Sequence, residues 1–241
     1  MSRENKAAIV TGASSGIGLG VTRALLERGY RVVANSRQIS RSGAFEETDQ
    51  LALVDGDVGR LETGGKLVET AVRRFGSVDL LVNNAGIFIS KPFTEYTTED
   101  FERLVSTNLA GFFYAAQPAV AQMARQKSGH IVSITTSLAD QPIAGVPAAI
   151  PILIKGGLNA ATRALAIEYA PQNIRVNAVA AGIIDTPMHK PESHGFLKTL
   201  HPIQRLGTVE EVAAAVLYLT DAAFVTGEVL RVDGGAHAGK W

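Results

Sequence analysis

The sequence contains no cysteine, which excludes disulfide bonds, thiol catalysis and a cysteine metal site. It also has no net charge, because 23 Lys and Arg residues balance 23 Asp and Glu residues. This balance gives no electrostatic basis for a nucleic-acid partner or an anionic membrane. Nowhere do about 18 apolar residues run together, and the N-terminus, MSRENK, is polar. We therefore expect a soluble, cytoplasmic protein without a signal peptide, a membrane segment or a metal site.

Apolar runs alternate with segments of helical spacing along the 241 residues. Strands are predicted at 7–11, 31–35, 51–54, 78–82, 130–135, 174–178 and 229–232, and helices at 17–28, 61–75, 97–126, 151–169 and 210–220. The polar segment 39–48 is predicted to be a loop, and no repeat or linker divides the chain. The pattern predicts one α/β domain over residues 1–241, with a doubly wound, mostly parallel sheet and helices on both faces.

A glycine-rich turn, TGASSGIG at residues 11–18, separates the first predicted strand from the first helix. Glycines let the backbone approach a pyrophosphate closely, and a helix N-terminus directs free N–H groups at it. The spacing is one residue longer than the common dinucleotide fingerprint, and a glycine trio also occurs in ordinary tight turns. Because this one stands between a strand and a helix, it favours a nucleotide site.

The next strands indicate which nucleotide is bound. In dinucleotide folds an acidic residue after the second strand binds the ribose 2′-hydroxyl, whereas an arginine accommodates a 2′-phosphate. This chain has Ser36 and Arg37 there, and no carboxylate until Glu46. Although Arg37 could instead be a solvated surface residue, the sequence favours NADP(H) over NAD(H). Asp57, after the third strand, could accept a hydrogen bond from the adenine amine or cap the next helix.

Further segments occur in a fixed order across nearly the whole chain. They are Asp57-Val58, NNAG at 83–86, Asn108 in STNLAG, Lys155-Gly156-Gly157, NIRVNAV at 173–179, GIIDTPM at 182–188 and VTGEVLRVDGG at 225–235. Together with TGASSGIG, these segments resemble the short-chain dehydrogenase/reductase family, and specifically its single-domain members similar to ketoacyl-carrier-protein reductases. The resemblance implies a seven-stranded Rossmann sheet, a homotetramer, a small carbonyl or alcohol substrate and a mobile lid at about 187–200.

The resemblance also assigns roles to residues of this sequence. It implies a catalytic set of Lys155, Asn108, Thr136 and Ser137, in which Thr136 stands where the family has a serine. The implied cofactor-binding residues are Gly12, Ser14, Ser15, Gly16, Ile17, Gly18, Ser36, Arg37, Asp57, Val58, Asn84, Ala85, Gly86, Lys155, Ile184 and Thr186. Apolar stretches at 109–121 and 158–167 are expected to face partner helices in the tetramer.

The family's catalytic tyrosine is absent from this chain. In the family it precedes the lysine by four residues, so that both side chains project from one helix face. Counting back from Lys155 gives Pro151, and no tyrosine lies between Tyr114 and Tyr169. Proline is tolerated only in the first turn of a helix, so the helix is expected to begin near Pro151. The mechanism is therefore expected to be atypical.

Several sources remain open for the proton that the tyrosine would supply. They are water, Lys155 and the histidines in or beside the lid, His189, His194 and His201, with Asp140 in a loop two residues longer than usual. A different hypothesis is a nucleotide-binding protein that has lost hydride chemistry and acts as a sensor or as a subunit of a hetero-oligomer. A third is non-redox chemistry such as elimination.

Overall fold

The computed structural model describes residues 6–239, so residues 1–5 of the polar N-terminal stretch and residues 240–241 lie outside the described residues. Its strands are β1 (Ala7–Thr11), β2 (Arg31–Ser36), β3 (Leu51–Asp55), β4 (Leu80–Asn83), β5 (Gly129–Thr136), β6 (Ile174–Ala181) and β7 (Val229–Val232). They form one seven-stranded sheet in the order β3-β2-β1-β4-β5-β6-β7, and every neighbouring pair is parallel. The predicted parallel sheet is confirmed.

Helices cover both faces of this sheet. They are α1 (Gly16–Glu27), α2 (Leu61–Phe75), α3 (Thr98–Leu104), α4 (Gly111–Gln126), α5 (Ala149–Tyr169), the short α6 (His194–Leu197) and α7 (Val209–Asp221). Successive side chains of a strand point to opposite faces, so Ile9 packs into the core beneath α2, α4 and α5, whereas Val10 packs into the core beneath α1 and α7. The doubly wound α/β architecture is thus confirmed.

Three predicted elements differ from the structure. The predicted helix 97–126 is divided by a π-helical turn at Val105–Ala110, and the predicted loop 39–48 contains a 3₁₀ turn at Ile39–Arg41. Helix α5 begins at Ala149, so Pro151 is the third residue of its first turn, where a missing backbone N–H breaks no intrahelical bond. Helix propensity does not reveal a π turn, because its cause is the tertiary hydrogen bonding described below.

The segment Ala149–Gln172, which is α5 with the turn that follows it, has a mean hydropathy of 1.2 and the length to cross a membrane. A core helix of a soluble protein has the same length and composition. Here Leu158 and Ala166 of α5 join the core beneath the sheet. The apolar character of α5 is thus accounted for in part by its packing within the domain.

Helix α2 packs closely on α4 through Gly64. A Cβ atom added to Gly64 would overlap the carbonyl oxygen of Tyr114, a backbone atom of α4. The neighbouring Gly65 is exposed and would meet nothing within 4 Å. Two adjacent glycines of one helix therefore stand in opposite environments.

We expect Gly64→Ala to lower the free energy of unfolding by roughly 1–3 kcal/mol, because backbone atoms of α2 and α4 must separate to admit the methyl group. We expect the matched control Gly65→Ala to raise it by about 0.5–1 kcal/mol, because alanine is the better helix former. Urea unfolding followed by circular dichroism measures both variants. Equal effects from the two substitutions would contradict this packing.

Candidate active site

A cavity of about 730 Å³ opens at the carboxyl ends of the parallel strands. The strand order reverses between β1 and β4, and ligands of doubly wound sheets bind in the crevice at such a switch point. The cavity extends from the glycine turn after β1 to the segment after β6. The fold therefore places one large site where the predicted nucleotide-binding turn lies.

Hydrogen bonds between Thr11 and the end of β4 fix this switch point. The hydroxyl of Thr11 accepts the backbone N–H groups of Asn84 and Ala85 at 3.1 and 3.0 Å. The side-chain amide of Asn84 donates to the carbonyl oxygens of Thr11 and Gly12 at 2.9 and 3.3 Å. The glycine turn and the NNAG segment are thereby held as one unit.

The glycine turn fits a pyrophosphate. A Cβ on Gly12 would lie 2.8 Å from Asn84 Nδ2 and 2.9 Å from Ala85 Cα, and one on Gly18 would overlap the Gly12 carbonyl oxygen. At the start of α1, the N-cap residue Ser15 makes no side-chain capping bond. The N–H groups of the first turn are thus left for an anion, which a helix N-terminus favours.

All the predicted cofactor residues line the cavity except Gly18. Gly18 instead lets α1 pack against β1, as its close approach to Gly12 shows. Asp57 also lies in the wall, and its Oδ1 accepts the backbone N–H of Gly59 at 2.9 Å. It does not cap the next helix, because Arg60 is the N-cap of α2.

Asp55 is a carboxylate at this edge of the sheet that sequence reasoning did not consider. It pairs with Ser36 in the β2–β3 register. Its oxygens accept the backbone N–H of Ser40 at 3.0 Å and the Ser40 hydroxyl at 2.6 Å, and these bonds hold the pKa of Asp55 below its usual range. Asp55 is therefore engaged by Ser40, whereas Arg37 lies in the cavity wall.

Lys155 lies in the wall one turn after Pro151, which also lines the cavity. Its Nζ donates to the carbonyl oxygen of Ile134 in β5 at 2.7 Å. Burial lowers the pKa of Lys155 to about 8, because desolvation disfavours the ammonium form. The second turn of α5 thus brings one titratable amine to the site, and no tyrosine is among the described residues that line the cavity.

Asn108 is buried in the π-helical turn rather than exposed to the cavity. Its Oδ1 accepts the N–H of Ile87 at 2.8 Å, and its Nδ2 donates to the carbonyl oxygen of Ile87 at 2.9 Å. Single π turns inside helices frequently occur at functional sites, and this one directs the amide at the cavity wall. A direct effect of Asn108 on Lys155 stays a prediction.

Thr136 and Ser137 line the cavity at the end of β5. The Thr136 hydroxyl accepts the backbone N–H of Leu138 at 3.3 Å, and Ser137 is buried. A hydroxyl thus stands near the position that the resemblance assigns to the family's serine. Apolar residues that no sequence motif marked also line the cavity; they include Phe88, Ile143, Val146, Met188, Phe196 and Leu197.

The other candidate proton donors differ in their surroundings. Asp140 is bound to Arg231 of β7, with Arg231 Nε 3.0 Å from its Oδ2. His194 Nε2 lies 3.3 Å from the carbonyl oxygen of His189 and 3.8 Å from Asp185. His189 lines the cavity, and burial lowers its pKa. Of the four candidates, His189 and His201 lie in the cavity wall, and Asp140 and His194 do not.

The glycine turn at the switch point of a doubly wound sheet defines an α/β domain of the dinucleotide-binding type. A family model described as Enoyl-(Acyl carrier protein) reductase matches residues 12–237. The chain therefore belongs to the short-chain dehydrogenase/reductase family of oxidoreductases, as the sequence predicted.

Individual relatives match over almost their full length. The chain is 36% identical to an acetoacetyl-CoA reductase of Acinetobacter sp., with 97% of this chain and 98% of the relative covered. It superposes with a TM-score of 0.90 and 30% identity on a 3-ketoacyl-(acyl-carrier-protein) reductase from Brucella melitensis complexed with NADH, covering 98% and 100% of the two chains. It superposes with a TM-score of 0.88 and 31% identity on ElxO with NADP bound, covering 97% and 99%.

Proposed function

We propose that this protein is an NADP(H)-dependent oxidoreductase that acts on a small carbonyl or alcohol substrate. The observation that carries the proposal is the half-buried Lys155, whose amine lies in one cavity with the glycine turn and the hydroxyl of Thr136. A bound nicotinamide would supply or accept the hydride. The groups that this chain would contribute are an anion site, an amine that binds the cofactor's ribose and a hydroxyl that orients the substrate oxygen.

The choice of NADP(H) rests on the contrast between Arg37 and Asp55. Arg37 lies in the wall after β2, where a guanidinium can pair with a 2′-phosphate through charge-assisted hydrogen bonds. The carboxylate of Asp55 is engaged by the N–H and hydroxyl of Ser40. Arg37 is therefore available to bind the nucleotide, whereas the carboxylate of Asp55 already accepts two hydrogen bonds from Ser40.

Replacing Arg37 tests this choice. We expect Arg37→Ala to weaken NADPH binding about 10- to 100-fold, because a hydrogen bond to a charged group is worth roughly 1.5–3 kcal/mol. Binding of NADH should stay within twofold. Titration of nicotinamide fluorescence measures both, and Arg41→Ala is the matched control because Arg41 is exposed nearby but does not line the cavity. Equal weakening of both nucleotides would oppose the NADP(H) preference.

We also propose Lys155 as the proton donor in the direction of reduction. As a hydride adds to the carbonyl carbon, the Lys155 ammonium would give a proton to the substrate oxygen and become a neutral amine, which solvent protonates again. A general acid works best when its pKa lies near the working pH, and burial places the pKa of Lys155 at about 8. Pro151 carries no proton that could serve instead.

The pH dependence follows from this role. The ammonium form is present below pH 8 and lost above it, so we expect the rate of carbonyl reduction to fall as the pH rises through about 8. Lys155→Ala should abolish turnover, and Pro151→Tyr should raise it at least tenfold, because a general acid contributes about 10²–10⁴-fold. Loss of NADPH absorbance with a panel of ketones, diketones and quinones measures these rates.

The exposed neighbour Leu153 supplies the control, as Leu153→Tyr adds a phenol outside the cavity and should leave the rate unchanged. Turnover that survives in Lys155→Ala would overturn the role of the lysine. A silent wild type beside an active Pro151→Tyr variant would favour a nucleotide-binding protein without hydride chemistry.

The segment 187–200 is proposed as the substrate lid. It contributes Met188, Phe196 and Leu197 to the cavity wall, and Ile143 and Val146 of the loop before α5 line the same cavity. The lining favours a substrate with an apolar body next to the reacting carbonyl group.

A homotetramer is proposed from apolar side chains on α4 and α5. Phe113 and Ile167 are 49% and 79% exposed although both helices bury their other faces on the sheet. We expect light scattering to show a tetramer, and Phe113→Glu with Ile167→Glu to yield smaller species. Leu61→Glu on α2, where Leu61 is 64% exposed, is the control and should leave the tetramer intact. A monomeric wild type would contradict the proposal.

A further inference from the structure

His201 is buried at the base of the segment 187–200. The residue is 2% exposed although it directly follows this largely exposed segment. Its Nε2 lies 3.0 Å from the backbone nitrogen of Ile183 and accepts that N–H. Ile183 follows β6 and directly precedes Ile184, which lines the cavity together with Thr186. The ring therefore joins the end of the lid to the start of the loop that the cofactor is proposed to contact.

The His201 ring is closely packed against Gly182, next to the backbone of Asp233. A Cβ atom on Gly182 would lie 2.7 Å from His201 Nε2 and 2.8 Å from Asp233 Cα, so only a glycine admits the ring and the backbone after β7 at this place. Because Nε2 accepts the N–H of Ile183, the ring proton is carried by Nδ1. Nδ1 has no hydrogen-bond partner among the described residues. The position of the ring is thus set by packing and by the Ile183 bond.

Backbone bonds hold the other side of the same peptide segment. The N–H of Gly207 donates to the carbonyl oxygen of Ile183 at 3.0 Å, and the N–H of Asp185 donates to the carbonyl oxygen of Gly207 at 2.8 Å. The residues just before α7 thus bind the carbonyl side of Ile183, and His201 binds its N–H side. Removing the ring's acceptor would leave a partly buried N–H unpaired, which destabilises this arrangement of the loop.

Protonation of the ring has the same effect as removing the acceptor. A proton on Nε2 would place two N–H donors against each other at Ile183. The charged groups that act on the ring are Asp233, which favours the protonated form, and Arg205, which opposes it; Asp233 is itself bound to His237 at 2.9 Å. Burial is the largest influence and lowers the pKa of His201, so the neutral ring prevails at neutral pH.

We propose that His201 is a positioning residue whose neutral ring holds Ile183, and through it Ile184 and Thr186, in place for the nicotinamide half of the cofactor. Protonation of the ring releases this loop. The inference rests on the proposed function, because it concerns the same nucleotide site. The sequence indicated His201 only as a candidate proton donor. The inference instead assigns His201 the role of holding the backbone of Ile183 in place.

Two nucleotides and two variants test the inference by binding rather than by activity. NADPH spans the whole site, whereas 2′,5′-ADP contains the phosphates and the adenosine but no nicotinamide. His201→Leu removes the acceptor, and His201→Gln retains an oxygen in the place of Nε2. We expect His201→Leu to weaken NADPH binding about tenfold and to leave 2′,5′-ADP binding within twofold, since one hydrogen bond is lost at the nicotinamide end only. His201→Gln should bind both as the wild type does.

The pH dependence of nucleotide binding shows whether protonation of the His201 ring affects the site. Between pH 8 and pH 5.5 the phosphate monoesters of both nucleotides also titrate, and 2′,5′-ADP carries one more of them than NADPH does. The ratio of the NADPH dissociation constant to the 2′,5′-ADP dissociation constant is therefore compared between the wild type and His201→Gln, which meet the same phosphates and differ only in the ring. We expect this ratio to rise more steeply in the wild type than in His201→Gln as the pH falls. Fluorescence titration of NADPH and calorimetry of 2′,5′-ADP give the constants.

Several results would overturn the positioning role. They are unchanged NADPH binding in His201→Leu, equal weakening of both nucleotides, and an equal pH response of the ratio in the wild type and in His201→Gln. If the wild type does not bind 2′,5′-ADP, the NADP(H) preference fails, and NADH with 5′-AMP then test His201 in the same way. If neither pair binds, the proposed function and this inference fall together.

Discussion

The hydrogen bonds between Thr11 and Asn84 are the constraint on which the rest of the site depends. They join the end of β1 to the end of β4, the two strands between which the order of the sheet reverses. Asn84 Nδ2 also lies 2.5 Å from where a Cβ on Gly18 would stand, so the start of α1 is fixed against the same amide. The proposed anion site at the start of α1 therefore requires that β1, β4 and α1 be assembled. Because β4 also pairs with β5, the end of β5 is positioned by the same assembly.

Much of this architecture is predictable from sequence because the strands are buried on both faces. Such strands are continuous apolar runs, as AAIVT of β1 and LLVN of β4 show, and turns punctuate them. The glycine turn and Lys155 were likewise found from local patterns, since each belongs to a motif of fixed spacing. These predictions depend on residues that are neighbours in the chain.

The features that escaped prediction depend on residues distant in the chain. The π turn at Val105–Ala110 contains Asn108, whose amide is bound to Ile87, 21 residues away. The sequence placed His201 only in or beside the lid, whereas in the structure it is buried next to Gly182 and the backbone at Asp233. The carboxylate of Asp55 is engaged by Ser40 through a 3₁₀ turn within a segment that looked irregular. Sequence spacing does not encode any of these contacts.

Pro151, which stands where the family has a tyrosine, is compatible with the fold because of its position in the first turn of α5. As the third residue of α5 it lies among the first four residues of the helix, whose N–H groups lack intrahelical partners, so the missing N–H breaks no bond. The loop before it is bound to the segment after β4, because the Ser90 hydroxyl donates to the carbonyl oxygen of Pro147 at 2.8 Å. A proline at position 151 is thus accommodated by the fold, and Lys155 keeps its place in the cavity wall.

In the proposed mechanism, the acidity of one amine decides the chemistry of the site. A free phenol has a pKa of about 10, whereas burial brings the pKa of Lys155 to about 8. The Lys155 ammonium is therefore a stronger acid than a free phenol, and transfer of its proton to a substrate alkoxide is favourable. The amine that remains is, for the same reason, a weaker base than a phenolate. The proposed role of Lys155 thus favours carbonyl reduction below pH 8, where the ammonium is present, and leaves alcohol oxidation to the neutral amine above it.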